Sequence, residues 1–419
     1  MADGMLFASD MIEADPRADP VVVTGIGMVT ALGNDVAANV SGFRAGRIGL
    51  REVTLFDVSR QRAGRAGQVE LPAAPPATLL DPAHAASLDR SSRLLLHAAA
   101  ECLATAGWSA RPQRLDLSIA TSSGGMAAGE QFFRDLELSP PKRAQRRRIA
   151  QYTAHRQLFS LCEAFGIEGN LLIPSNACAS GCNAIGEAWR SVRCGHSRRM
   201  LAGGYDALSQ LVFAGFDSLQ ALSLDTPRPF DVARDGLALG EGAAVLALER
   251  RADAIARGAR IFATISGYAA ATDLHHLTQP HPDGATALGT MREACRAAGL
   301  SPRDIGYVNA HGTGTRLNDA AELRAINDWA GDAAGDLMVS STKAGIGHLL
   351  GAAGAIETAL CALAVDGRWL PPNANLDNPE PDAEFQLPTE CVETGIQHAL
   401  SNSFGFGGSN ASIIVSRHE

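Results

Sequence analysis

The sequence predicts an α/β protein built from two duplicated halves, each a mixed or parallel sheet with helices on both faces. Three ordered correspondences carry that expectation. AAECLATAGWSARPQRLDLSIATSSGG (99–125) shares its pattern with MREACRAAGLSPRDIGYVNAHGTGT (291–315): a helical run ending at Ala-Gly, a Pro/Arg turn, an Asp, an apolar strand and a small-residue loop. LLIPSNACASGCNAIGEAWRSVRCG (171–195) and LMVSSTKAGIGHLLGAAGAIETALCALAVDG (337–367) both read as apolar strand, polar turn and long Ala/Gly-rich helix. A weaker echo relates MLAGGYDALSQLVF (200–213) to ALSNSFGFGGSNASIIV (399–415). The second copy begins near Arg260. The expected organisation is therefore a flexible N-terminal tail (1–19), a first half (20–259) and a second half (260–419).

In chain order, the N-terminus lacks a basic region followed by an apolar run, so it does not read as a secretory signal. VVVTGIGMVTALG (21–33) reads as a buried strand entering a glycine-rich turn and then a helix. Gly25, Gly27 and Gly33 miss the GxGxxG spacing of a dinucleotide site, and no P-loop is present. The apolar stretch 345–365 is interrupted by His348 and Glu357 and is rich in Gly and Ala, which fits a buried helix better than a membrane span.

Composition narrows the function classes. A chain of 419 residues with 46% hydrophobic residues buries a large core, and 43 glycines suit close helix–sheet packing. A formal charge of -9 argues against general nucleic-acid binding. Eight cysteines without a CxxC pair read as reduced thiols in a cytoplasmic protein.

Cys178 lies in SNACASG (175–181), between a buried strand and a helix running to about Arg193. At a helix N-terminus its thiol pKa is expected to fall, and its small neighbours leave room for a substrate. A lone cysteine is more often a structural thiol, and Cys182, one helical turn on, fits that role; the strand–turn–helix setting favours a nucleophile at Cys178. His311 opens HGTGT after an apolar strand, so its imidazole is expected to be exposed and hydrogen-bonded rather than packed. His348 follows Lys343 by five residues in a glycine-rich turn. Each histidine alone reads as structural; on equivalent loops around Cys178 the pair reads as functional. Neither has the spacing of a helix-borne zinc site, so no metal is expected. NSFGFGGSNASIIV (402–415) reads as a tight turn with exposed N–H groups that can form half of an oxyanion hole, or as a plain hairpin. The basic run PPKRAQRRR (140–148) is a solvated face or a surface that steers an acidic partner.

Together these stretches resemble the elongating β-ketoacyl–acyl carrier protein synthases of bacterial fatty acid and type II polyketide synthesis. The likeness runs from about Val21 to Ser416 through VVVTGIGMVTALGN, NACASG, RPFDVARDGLALGEGA, YVNAHGTGT, SSTKAGIGHLLGAAGAIE, PPNANLDNPE and NSFGFGGSN. It implies a thiolase-like fold in five αβαβα layers and acyl transfer to Cys178. Decarboxylative condensation with a malonyl group would follow, promoted by His311 and His348. It implies Lys343 beside that pair with Glu322 as its acidic partner, and Phe404 as a supporting residue. Phe406 would be a gate and a second oxyanion donor beside the Cys178 N–H. Thr313 and Thr315 would hold the phosphopantetheine arm, and Lys142, Arg143 and Arg228 the acidic carrier protein. No cofactor is implied, and the expected assembly is a homodimer or a heterodimer with a chain-length-factor subunit.

Departures point to a specialised pathway. Asn176 stands two before the cysteine where the family usually has Thr, and the segment from Gly129 to Gly169 is unusually charged. Ser123 falls at an acyl-pocket position often filled by a bulky aliphatic residue, which would lengthen the pocket or suit a polyene chain. The starter-condensing class would place Asn at His348, and a biosynthetic thiolase would want a second reactive cysteine, which Cys391 does not offer. A non-catalytic chain-length factor would lack the cysteine.

Overall fold

The computed structural model describes residues 19–108, 114–138 and 149–418; most of the N-terminal tail and all of the basic run 140–148, with Lys142 and Arg143, lie outside them. Ten strands form the main sheet. The first half supplies β1 (Val21–Val29), β2 (Asp116–Ala120), β3 (Leu171–Leu172), β4 (Arg199–Asp206) and β5 (Gly242–Arg250). The second supplies β6 (Ala263–Thr272), β7 (Tyr307–Asn309), β8 (Met338–Ser340), β9 (His398–Gly405) and β10 (Ser409–Arg417). Across the sheet the order is β8-β7-β9-β10-β6-β1-β5-β4-β2-β3.

The duplication is visible in this order. In each half the third strand pairs parallel with the second and the second parallel with the fourth. The fourth then pairs antiparallel with the fifth, and the fifth antiparallel with the first. The halves join where Val21–Val23 of β1 meets Ile265–Ala263 of β6.

Four helices set the layers: α1 (Arg90–Thr105), α2 (Ser180–Arg193), α3 (Ala285–Ala298) and α4 (Ala353–Gly367). The Ala-Gly that closes each matched helix places Gly107 (φ 64°) and Gly299 (φ 69°) in the left-handed caps that glycine tolerates. In the middle layer, Cys182, Ile185 and Ala188 of α2 share one core with Ile356, Ala359 and Leu360 of α4. That core also takes Ile26 and Leu246 from the first half and Ile413 and Val415 from the second. On the outside, Leu94, Leu95 and Ala98 of α1 cover Leu117, Ile119 and Val245, while Met291 and Ala294 of α3 cover Val308, Leu400 and Ile414. The two halves of the sheet thus lie on either side of the central helix pair, giving helix, half-sheet, helix, half-sheet, helix. β1 and β5 are buried almost throughout because both sheet faces are covered, hence their unbroken apolar runs.

Gly25 and Gly27 lie inside β1, not in a turn after it. A Cβ on Gly27 would stand 1.8 Å from the Ala98 carbonyl oxygen, and one on Gly25 2.4 Å from that of Cys102, so α1 can close on the strand only over glycine. The helical stretch Leu350–Gly367 is apolar and long enough to cross a membrane, but 89% of it is buried inside the molecule, as the central α4.

Candidate active site

Cys178 sits where the chain turns from β3 into α2. Ala177 before it has φ 56°, a left-handed conformation that costs a residue with a Cβ about 1–3 kcal/mol. The turn is held in place: the Ala177 carbonyl accepts from Ser122 Oγ (2.9 Å), Ser180 Oγ (2.5 Å) and Ser180 N (3.1 Å). Asn176 anchors the same turn to the second half by donating from Nδ2 to Ser409 Oγ (2.7 Å).

The expected fall in the Cys178 pKa is corrected here. Burial pushes the thiol up to about 11, and the Lys343 ammonium and a hydrogen bond from the Phe406 N–H offset that only in part. The sulfur is withdrawn from water, and desolvating a thiolate outweighs its favourable neighbours. Cys182 is fully buried against the core, as its helical spacing implied.

His311 is not exposed, contrary to its reading from sequence: it is 3% accessible, and its ring lies 5.3 Å from that of His348 at 82°. The reason is Glu322, whose carboxylate accepts the backbone N–H of His311 (2.8 Å) and of Gly312 (2.7 Å) and pulls the loop inward. Burial raises Glu322 to about 7. His348 Nδ1 accepts the Leu350 N–H at 3.1 Å, so a neutral ring carries its proton on Nε2. Burial first, then Lys343, drives both imidazoles well below the ordinary histidine value, His311 being lowered also by His348.

Lys343 is buried, and its ion-pair partner is Glu357 on α4; Glu322 instead binds the His311 loop backbone. Glu357 lies fourteen residues beyond Lys343 and is pushed up to about 7 by burial. Its one sequence signal was a carboxylate amid the apolar run of α4, whose other carboxylate, Asp366, lies in the last turn.

A cavity of about 680 Å³ opens over this cluster, with Cys178, His311, His348, Phe404 and Phe406 on its walls. Phe404 packs 5.7 Å from His311. Phe406 follows β9 at the hairpin into β10, is 37% exposed, and stacks on Phe216 at 5.7 Å and 13°. Phe216 carried no signal in the sequence. Thr313 and Thr315 face the same cavity with their hydroxyls 2.9 Å apart. Arg228 is half-exposed beside that loop and pairs with Asp377 at 2.6 Å.

Ser123 is not among the residues lining this cavity. Its hydroxyl and backbone N–H instead donate to the buried carboxylate of Asp206, at 2.7 and 2.8 Å. Among the described residues no three His, Cys, Asp or Glu side chains are grouped to hold a metal ion.

Known proteins resemble the chain over nearly its whole length. Residues 18–254 match the N-terminal domain of β-ketoacyl synthases and 262–377 their C-terminal domain. The chain is 36% identical over 410 residues to 3-oxoacyl-[acyl-carrier-protein] synthase 2 of Synechocystis, covering 95% of this chain and 98% of that one. It is 34% identical over 409 residues to the enzyme of that name from Staphylococcus aureus, with coverages of 95% and 98%. Among solved structures, a β-ketoacyl synthase from Burkholderia phymatum superposes with a TM-score of 0.87 at 33% identity, covering 96% of this chain and 100% of that one. The ishigamide ketosynthase/chain length factor does so with a TM-score of 0.87 at 30% identity and the same coverages. Sequence and fold thus agree over nearly the whole length, and the chain belongs to the β-ketoacyl synthase family.

Proposed function

We propose that the chain elongates acyl groups carried on acyl carrier protein, with Cys178 as nucleophile and His311 and His348 as the pair acting on the malonyl group. The observation that carries this reading is the convergence of these three side chains, from loops of both halves, in one cavity. The Cys178 sulfur attacks the acyl thioester, its proton leaves with the carrier thiol, and an enzyme thioester remains. Malonyl thioester then loses carbon dioxide, and the electron pair of the broken C–C bond forms an enolate. His348 offers its Nε2–H to that enolate oxygen, and His311, also neutral, lies beside it. The enolate carbon attacks the Cys178 thioester, the C–S bond breaks, and 3-oxoacyl carrier is released as the thiol regains a proton. Backbone N–H groups of Cys178 and Phe406 hold the oxyanion in both transfers; losing one such donor costs about 3 kcal/mol of barrier.

Lys343, paired with Glu357, biases the histidines toward neutrality, and Glu322 fixes the His311 loop. Phe404 supports the His311 ring and Phe406 gates the cavity. Thr313 and Thr315 line the route for a phosphopantetheine arm, and Arg228, with Lys142 and Arg143, meets the acidic carrier. The chemistry needs no metal, nucleotide or flavin. We place the enzyme in the cytoplasm, where its eight free cysteines stay reduced.

The partner is a second copy or a related subunit. Likeness to a ketosynthase in complex with its chain length factor from Xenorhabdus doucetiae (TM-score 0.78, 28% identity) supports the heteromeric form. A specialised polyketide pathway draws support from likeness to a type II polyketide ketosynthase in complex with its acyl carrier protein (TM-score 0.86, 27% identity); the polyene reading loses its residue, because Ser123 is bonded to Asp206.

Intact-protein mass after incubation with a panel of acyl carrier thioesters tests the reading. An acyl-sized gain in wild type that is absent from Cys178→Ala is the expected result, and the preferred chain identifies the pathway. No gain with any acyl group would assign the chain to a non-catalytic, chain-length-factor role.

A further inference from the structure

The two catalytic loops meet at a residue that does not line the cavity. Asp206 ends β4 and is fully buried. Its carboxylate accepts five hydrogen bonds, all from neutral donors: Thr121 Oγ1 (2.6 Å), Ser122 N (3.0 Å), Ser123 N (2.8 Å), Ser123 Oγ (2.7 Å) and Gly351 N (2.7 Å). Burying a carboxylate is costly unless it is well bonded, and this saturation is what a charge held away from water requires.

The donors come from two separate loops. Thr121–Ser123 follow β2 in the first half, and Ser122 passes the connection on by donating from its hydroxyl to the Ala177 carbonyl (2.9 Å), one residue before Cys178. Gly351 lies in the second half, three residues after His348. The N–H just before it, that of Leu350, is the one that holds His348 Nδ1. Leu350 itself has φ 52°, so each loop carries one left-handed residue with a side chain, Ala177 in the first half and Leu350 in the second. The approach is as tight as the chain allows: a Cβ on Gly351 would stand 2.6 Å from Ser122 N and 2.9 Å from Asp206 Oδ2.

We propose that Asp206 is a positioning residue of the condensation: its carboxylate holds the Cys178 turn and the His348 loop in register across the two halves. The inference rests on the roles given above to Cys178 and His348. Condensation needs the thioester on Cys178 and the enolate beside the histidines at one separation, whereas acylation does not use the His348 loop and decarboxylation does not use the Cys178 turn. Loosening the link therefore uncouples the steps. Shape alone is insufficient, since asparagine at 206 would turn an N–H₂ toward N–H and O–H donors.

The test compares wild type, Asp206→Asn and Ser122→Ala with acyl and malonyl carriers. It measures Cys178 acylation by mass, carbon dioxide release and 3-oxoacyl product, with thermal melting as the control for folding. In folded Asp206→Asn, acylation is expected within about threefold of wild type. Condensation kcat is expected to fall on the order of a hundredfold, with KM for malonyl carrier unchanged and carbon dioxide released in excess of product. Ser122→Ala, which cuts only the link to Ala177, is expected to lose about tenfold. Condensation at the wild-type rate and stoichiometry in a folded Asp206→Asn overturns the proposal. So does equal loss of acylation, decarboxylation and condensation, which marks a structural role. If Asp206→Asn does not fold, the same outcomes in Ser122→Ala decide. Absence of acylation in wild type would instead remove the assignment of Cys178 itself.

Discussion

His311 and His348 reach the cavity as neutral rings because three causes act in one direction. Burial penalises an imidazolium, the Lys343 ammonium repels it, and for His311 the second ring adds to both. An enolate oxygen is stabilised by an N–H donor that keeps its proton, and a neutral imidazole is such a donor. The consequence is a pH profile. A ring of ordinary pKa near 6.5 would be about three-quarters protonated at pH 6, costing roughly fourfold in its neutral form relative to pH 8. With both values lowered, the neutral forms persist. Glu357, at about 7, takes up a proton in the same interval. The Lys343 charge it then leaves uncompensated holds the imidazoles still further toward neutrality. Malonyl decarboxylation by Cys178→Ala, in which no thiol titrates, is therefore expected to vary by less than about twofold from pH 8 to pH 6. A fourfold decline on acidification would show that an imidazole of ordinary pKa carries the step.

At the scale of elements, the hairpin of β9 and β10 closes on the turn that presents Cys178. Gly405 makes that approach possible: a Cβ there would stand 3.0 Å from Cys178 N and 3.3 Å from both Ala177 Cβ and Ala179 N. Its φ of −128° is ordinary for any residue, so Gly405→Ala adds bulk without backbone strain. The alanine methyl would push the hairpin, and with it the Phe406 N–H, away from the sulfur. The expected result is a folded protein whose acylation rate, read by intact mass, falls on the order of tenfold to a hundredfold. Wild-type acylation in this variant would mean that the Phe406 N–H plays no part in the transfer. Such contacts also mark how far the sequence could be read. Cys178 was legible because strand, small-residue turn and helix are local signals, and the repeat put His348 on the loop matching that of Cys178 and His311 on the loop matching Thr121–Gly125. The Lys343–Glu357 pair crosses from a turn to the interior of α4, and no local period links the two. Asp206 was invisible for a different reason: three of its five donors are backbone N–H groups, which every residue type carries. Burial of His311 depended likewise on Glu322 gripping two backbone N–H groups eleven and ten residues away.

For the whole molecule, the duplication does not make two independent domains. α2 and α4 lie side by side between the two halves of the sheet, and a Cβ on Gly181 of α2 would stand 2.6 Å from Ala355 N of α4, so the helices touch along their backbones. Residues of both halves fill the core around them. The halves are joined again at the sheet, where Val21–Val23 pairs with Ile265–Ala263, and at Phe262, whose N–H donates to the Val23 carbonyl (2.8 Å). A fragment ending near residue 259 would expose the packed face of α2 and leave one edge of β1 unpaired. Each Ile or Leu side chain so uncovered loses about 1.5–3 kcal/mol, and a handful of them equals the roughly 5–15 kcal/mol that stabilises a typical domain. The fragment 1–259 is therefore expected to aggregate or to show no cooperative thermal transition, and to take up no acyl group although it contains Cys178. A soluble fragment with a sharp transition would mean that the first half folds alone and that the central layer only docks. In that case the register between Cys178 and His348 would be set at an interface, and supplying residues 260–419 in trans would restore condensation.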